Sequence, residues 1–427
     1  MSDAREDLAV PELTNAEQRR AALRTARAIA PGVLLAGVAG GIAFPILPVV
    51  GLRVGLPLWF IGLILAANRM ARIVASPVAG ALADRLGGRR VLVAGLGIQV
   101  AVMTLYWAGV TLDRPGLFFL LARLLHGPGS ACVFVAAQVL ALKAGGRAHG
   151  GAAAGTVRAA MMMGMPAGLV IGGLMAARWG ERATFEAAIV AVALAAIVAS
   201  LGVPDLRSGP GPSSRPSLRA LVRDLRDRRL GALGLLNFAT FFSAQGTVLA
   251  TIVLLLGAQD LTVARLGQQG TAALVMGLLV VVAGVASPVA GRLGDRLRGH
   301  ARVAVGGLVL LVAGLGATGV AASGLTLGLA IALVGLGMGA ISPALLALVN
   351  GVVPSERQGS AVGAIQLLGD VGGSLGPIVG TTLFAYGRAW PFVVSALVCA
   401  SVMPFGLWLV RLERAALPPA GGTAGAD

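Results

Sequence analysis

Twelve mostly apolar stretches, each long enough to cross a bilayer as a helix of about 20 residues, follow one another along the chain. They run 29–51, 56–83, 91–112, 116–142, 151–178 and 184–203, then 231–257, 266–291, 302–322, 326–351, 360–387 and 390–411. Each is predicted to be a membrane-spanning helix, numbered 1 to 12 in chain order. One long polar segment, with Pro210, Pro212 and Pro216 at its start and a basic amphipathic run from Leu218, separates helix 6 from helix 7 and divides the chain six and six.

Composition agrees with the pattern. Apolar residues make up 57% of the chain and charged ones 12%, against about a quarter charged in a soluble protein. Disordered chains, coiled coils and disulfide scaffolds are excluded. The 63 glycines have no three-residue period and scatter among Leu, Val and Ala, which fits close helix packing in lipid. A formal charge of +16 raises nucleic acid as a partner, but the basic residues lie between the apolar stretches. With both termini inside, 24 Lys and Arg fall on the cytosolic side and 6 on the outer side. Cytoplasmic loops retain positive charge during insertion, so the charge sets topology and no nucleic-acid partner is expected. Trp59, Trp107, Trp179 and Trp390 fall at the outer ends, where an indole buries its ring and keeps its N–H wet.

The predicted organisation is a cytosolic tail (1–28), a six-helix bundle (29–203), a basic cytosolic linker (204–230), a second six-helix bundle (231–411) and a cytosolic tail (412–427). Cys132 and Cys399 lie far apart in apolar surroundings without clustered His, so neither a disulfide nor a metal site is indicated. A Gly-rich phosphate loop is missing too, so no cofactor is expected and energy should come from an ion gradient.

An internal repeat sharpens the picture. Ser76–Leu86 and Ser287–Leu297, 211 residues apart, agree at nine of eleven positions, and both close the second helix of a six-helix half. Two equivalent halves related by an axis along the membrane normal are the architecture of many secondary transporters. These residues resemble the major facilitator superfamily over essentially the whole chain. The family's signature between helices 2 and 3 is matched by Gly80, Leu82, Ala83, Asp84, Arg85, Gly87, Arg89 and Arg90, and a second copy has Gly291, Leu293, Asp295 and Arg296. An Asp at a helix C-terminus opposes the helix dipole. Asp84 therefore needs compensation from Arg85, Arg89, Arg90 or a neighbouring helix N-terminus, and such a contact can act as a conformational latch.

Helix 4 resembles a second family motif at Arg123, His126, Gly127, Gly129 and Ser130. Helix 5 has the glycine spacing of the drug/proton antiporters at Gly155, Gly164, Gly168 and Gly172, but with Gly168-Leu169 where that motif has Gly-Pro. Helix 11 repeats the spacing with the proline in place at Gly363, Gly372, Gly376, Pro377 and Gly380. These are expected to be helix-packing positions. Pro45-Ile46-Leu47-Pro48 in helix 1 is similar to a motif of the twelve-helix drug exporters. The resemblance implies an all-α membrane protein of twelve helices in two pseudo-symmetric halves.

Ionisable residues inside spans are costly unless paired or functional. Arg69, Arg72, Arg123 and Arg158 are the basic set, and Asp370 is the one acid well inside a helix. Asp370, Arg123 and His126 are the candidates for proton coupling. Arg69, Arg72, Asn237, Phe241, Gln245 and Gln366 are those for a substrate cavity. The Gly314–Gly319 run matches a dinucleotide fingerprint but no strand precedes it. Gly372–Gly376 matches a serine-hydrolase pattern, yet the repeat with helix 5 already accounts for it. An enzyme is not expected. The sequence points to a monomeric secondary transporter in the cell membrane. It is expected to work by alternating access and to export hydrophobic or amphipathic small molecules in exchange for protons. A carrier of organic anions or metabolites is the alternative, and a non-transporting sensor a remote one.

Overall fold

The computed structural model describes residues 15–204, 222–263, 266–354 and 357–415, and among them every regular element is a helix. Helices 1, 2 and 3 run Asn15–Arg53, Leu58–Leu86 and Gly88–Thr111. One unbroken helical assignment, Pro115–Gly202, follows. It nevertheless holds three spans. Gln138 Nε2 lies 3.6 Å from Met161 Sδ, where a straight helix would separate them by about 35 Å. Phe119 and Phe185 both pack on the ring of Tyr106, at 5.6 and 5.2 Å between centroids. The chain therefore reverses twice, and Gly180, at φ +83°, marks the second reversal. By length and composition eleven helices qualify as spans among the described residues, and one of them, the 50 residues Ala153–Gly202, is long enough for two.

Helix 1 begins at Asn15, well before the predicted limit at residue 29. The arginines that lower hydropathy there are good helix formers, and Ala22, Ala26 and Ile29 continue one buried face. In the second half, helix 7 starts at Arg228 behind Asp227, whose carboxylate accepts from the backbone N–H of Arg229 and Leu230. It changes to a π-helix over Phe241–Val248 and resumes over Leu249–Ala258. Helices 8 to 11 are Gly267–Leu297, His300–Val320, Gly324–Val352 and Gln358–Phe384. Helix 12 is interrupted at Val402, between Trp390–Ser401 and Met403–Ala415.

The halves pack alike. Gly164, Gly168 and Gly172 of helix 5 lie on the backbone of helix 1 at Leu34, Gly37, Val38 and Ile42. Their repeat equivalents, Gly372 and Gly376 of helix 11, lie on helix 7 at Phe238, Phe242 and Gly246, and Gly380 meets Thr247. Glycine permits this approach because a Cβ would sit inside the opposing backbone. Gly155 is a correction: a Cβ there would meet nothing within 4 Å. It stands nine residues before Gly164, half a turn around a helix that advances about 100° per residue, and faces away from helix 1. Gly363 stands in the same relation to Gly372.

Close helix contacts join the halves toward one end and the middle. Gly62 of helix 2 lies against Pro377, Ile378 and Thr381 of helix 11, and Gly173 of helix 5 against Gln269 and Ala273 of helix 8. Further along the same faces the helices diverge. Met162 on helix 5 is more than half exposed, and a Cβ at Gly284 on helix 8 would meet nothing within 4 Å. The molecule is closed at the end carrying Arg53 and Glu181 and splayed toward the end carrying Asp84 and Asp295.

Candidate functional site

Where the halves stop touching, a cluster of charge spans the gap. Arg72 Nη2 of helix 2 donates to Asp370 Oδ1 of helix 11 at 2.5 Å, and Arg69 Nη1 lies 4.0 Å from the same oxygen. Arg69 also donates from Nη2 to Gln245 Oε1 of helix 7 at 2.7 Å, with its guanidinium 5.5 Å from the Phe241 ring. The π-helix carries both Phe241 and Gln245; such segments are rare and concentrate at functional sites. Exposure falls across the group: side-chain values are 28% for Arg72, 14% for Asp370 and 8% for Arg69. The site opens toward the splayed end.

Helix 11 makes room for this arrangement. A Cβ at Gly373 would collide with Arg69 Nη1, so only glycine lets the guanidinium cross helix 11 there. Ser374 turns its hydroxyl back to Asp370 O, leaving the carboxylate to the arginines. Helix 4 supplies the other side. Gly127 sits against Asn68 O and Arg72 N of helix 2, which brings His126 within electrostatic range of Arg72 and Arg123. Arg123 is fully buried, 4.7 Å from the Phe44 ring. Residues assigned separately to proton coupling and to the cavity thus form one group.

Several candidates stand elsewhere. Asn237 is a correction, because its Nδ2 donates to Ile365 O at 3.0 Å inside the helix 7 and helix 11 contact; it joins helices and lines no open cavity. Gln366 is exposed on the splayed side of helix 11. At the loop between helices 2 and 3, Asp84 forms no ion pair or hydrogen bond with a described residue, so the expected compensation by Arg85, Arg89 or Arg90 is corrected as well. Arg89 instead donates to Ser200 O at the end of helix 6, a favourable place for a cation. Arg85 and Arg90 are exposed, Gly80 is buried, and Gly87 turns the chain at φ +90°. In the second copy Asp295 pairs with His300 at 3.2 Å, Arg296 is exposed, and Gly291 has only Pro343 at the edge of contact. The residue equivalent to Gly87 is Arg298, held at φ +44°.

The Major Facilitator Superfamily model matches residues 29–269 and 262–426. The chain belongs to that family. It is therefore a multi-pass membrane transporter and not an enzyme. Curated relatives include the multi-drug resistance efflux pump PmrA of Streptococcus pneumoniae, 27% identical over 88% of this chain and 93% of the relative. The multidrug resistance protein MdtG of Enterobacter lignolyticus is 26% identical over 91% and 92%. Among solved structures, a bacterial homologue of the human lysosomal transporter Spinster shares the fold at TM-score 0.76 and 14% identity, over 92% of this chain and 98% of that one. The human organic anion transporter MFSD10 does so at TM-score 0.65 and 19% identity, over 92% and 100%.

Two features of the transporter escaped sequence reading. The first is the polar clasp at the closed end, where Glu181 Oε1 accepts from Arg53 Nη2 and from Gln269 Nε2 of the other half, both at 2.8 Å. All three residues stand at or near helix ends, where polar side chains carry no periodic signal. The second is the π-helix. Nothing in Phe241-Phe-Ser-Ala-Gln-Gly-Thr-Val announces it beyond Gly246, which lies against Gly376 and Pro377.

Proposed function

We propose that this chain exports hydrophobic or amphipathic small molecules across the cell membrane by alternating access, driven by proton exchange at Asp370. The observation that carries the reading is the Arg72–Asp370 pair between the halves at 2.5 Å. Any rocking of one half against the other has to work on this contact. The pair is partly withdrawn from water, with Asp370 at 14% and Arg72 at 28% exposure, and removing one charge from such a pair is destabilising, so an ionised Asp370 holds the two helices together. A proton on Asp370 removes its charge and frees both arginines. Binding a proton when the site faces outward and releasing it when the site faces inward would couple the gradient to the swing.

In this reading the termini and the Asp84 and Asp295 loops are cytosolic, as the charge count argues, and the state seen faces inward. The units at 29–203 and 231–411 are the moving halves of a monomer, and the linker at 204–230 joins them on the cytosolic side. Asp84, unpaired among the described residues, fits a latch that engages when the splayed end closes. Relatives called multidrug pumps support small amphipathic substrates. The test is dye export in inverted membrane vesicles with an imposed pH gradient: wild-type protein should accumulate a dye from an amphipathic panel, and collapsing the gradient should stop it.

A second substrate reading, the organic anion, has its own observation. Arg69 and Arg72 share one carboxylate, Asp370, and Arg123 lies within electrostatic range of Arg69, leaving positive charge in excess at the centre of the protein.

A further inference from the structure

Arg123 is the largest of the fully buried side chains, and its Nε, Nη1 and Nη2 have no hydrogen-bond partner. Arg69 and Arg72 have Asp370 and Gln245; Arg123 has none of these. The described acids of the first half, Glu17, Asp84, Asp113, Glu181 and Glu186, lie toward its two ends. Guanidinium does not give up its proton in proteins, and an uncompensated charge withdrawn from water costs several kcal/mol. Such a group calls for a counter-charge.

Its surroundings point to the kind of counter-charge. Tyr106, fully buried with its hydroxyl unpartnered, lies within electrostatic range of Arg123. His126, one helical turn along, is 5% exposed and leaves Nδ1 unpartnered, while its Nε2 side abuts Gly40 of helix 1. A guanidinium fork, a phenol hydroxyl and an imidazole together match the planar oxygens of a carboxylate or the tripod of a sulfonate. Phe44, 4.7 Å from the guanidinium, adds an aromatic face for an apolar body. Exposure falls from Arg72 beside the gap between the halves, through His126, to Arg123, and both arginines lie within electrostatic range of His126.

We propose that Arg123, with Tyr106 and His126, forms an anion-binding subsite within the first half that takes the carboxylate or sulfonate of an amphipathic aryl acid. It deepens the organic-anion reading and rests on it. The site differs from the Arg72–Asp370 pair in that no protein carboxylate occupies it.

The experiment measures the melting temperature of the purified full chain in detergent with 1-naphthoate, 1-naphthamide or sodium chloride at matched ionic strength, since a ligand of the folded state raises it. Naphthoate should stabilise and the amide should not. Arg123→Gln should weaken the naphthoate response by roughly tenfold or more in concentration, the worth of one charge-assisted contact. Arg158→Gln, which removes an exposed charge from helix 5, should keep the response. If Arg123→Gln does not fold, Tyr106→Phe, lacking one hydroxyl, should weaken the response severalfold. Equal stabilisation by naphthoate and naphthamide, or an undiminished response in Arg123→Gln or Tyr106→Phe, overturns the subsite. Chloride as effective as naphthoate overturns the organic acid in favour of a free inorganic anion. Proton coupling at Asp370 is read from uphill transport, so its failure and this one are told apart.

Discussion

Arg72 and Asp370, separated by 298 positions in sequence, meet at 2.5 Å in the gap between the two halves. Each lies on a helix that also touches the other half nearer the closed end, through Gly62 and Thr381. The pair therefore sits where contact gives way to separation, the place most sensitive to a change in the angle between the halves.

Removing one partner should be worse than removing both. Arg72→Gln leaves Asp370 with Arg69 at 4.0 Å and should lower thermal stability and slow transport. Arg72→Gln with Asp370→Asn removes the unpaired charge and should regain part of the stability. A double variant less stable than either single one would contradict the coupling, which a double-mutant cycle measures directly.

Gly373→Ala should displace Arg69 without unfolding the protein, because the atom in its way is the free end of a flexible side chain. The Arg69–Gln245 bond is lost while Arg72–Asp370 remains. A double-mutant cycle reads that loss: Gln245→Ala should impair transport in the wild-type background and add little once Gly373→Ala is present, with the melting temperature of Gly373→Ala close to that of wild type.

Glu181→Ala removes the acceptor shared by Arg53 and Gln269 and should loosen the closed end. Cysteine reporters on that face, such as one at Ala273, should become more reactive to a membrane-impermeant thiol reagent, and one at Met162 on the splayed side less so. Unchanged reactivity at both would show that the clasp does not set the balance of states.

Asp224 fixes the end of the linker to the start of helix 11. Ser360 donates to it, as does Arg357 at 2.8 Å, and these hydrogen bonds hold its carboxyl below the usual carboxylate range. A depressed carboxyl adds stability above its unfolded value, about pH 4, and loses it as pH falls through the folded value. Asp224→Asn should therefore be less stable than wild type at pH 7, with the difference closing below about pH 4. A constant difference down to pH 3 would mean that the charge is not what matters.

Arg298 stands in the second repeat where Gly87 stands in the first, and both have positive φ, Arg298 in the left-handed helical region and Gly87, at ψ 142°, outside it. A side chain there costs on the order of 1 kcal/mol, so Arg298→Gly should raise the melting temperature slightly and Gly87→Ala should lower it.

The sequence made much of this legible for physical reasons. Span length, the excess of Lys and Arg on one side and the repeated Ser-Pro-Val-Ala-Gly segment are local signals, and they led to an all-helical, two-half transporter. Asp370 and the buried arginines stood out because charge in a span is costly wherever it lies. Their pairing did not, since no local rule joins residues 72 and 370. Gly155 went wrong through counting glycines without turning the helix, and Asn237 because a polar residue on a span serves a neighbouring helix as readily as a cavity. The early start of helix 1 was hidden by Arg19, Arg20, Arg24 and Arg27, which lower hydropathy without breaking a helix.

The central claim is that Asp370 carries the coupling proton, and transport by Asp370→Asn in proteoliposomes tests it most directly. With a dye that wild-type protein concentrates under a pH gradient, the variant should exchange dye at equal concentrations on both sides yet fail to concentrate it when the gradient is applied. A variant that still accumulates the dye uphill would contradict the account and leave the Arg72–Asp370 pair as a structural tie.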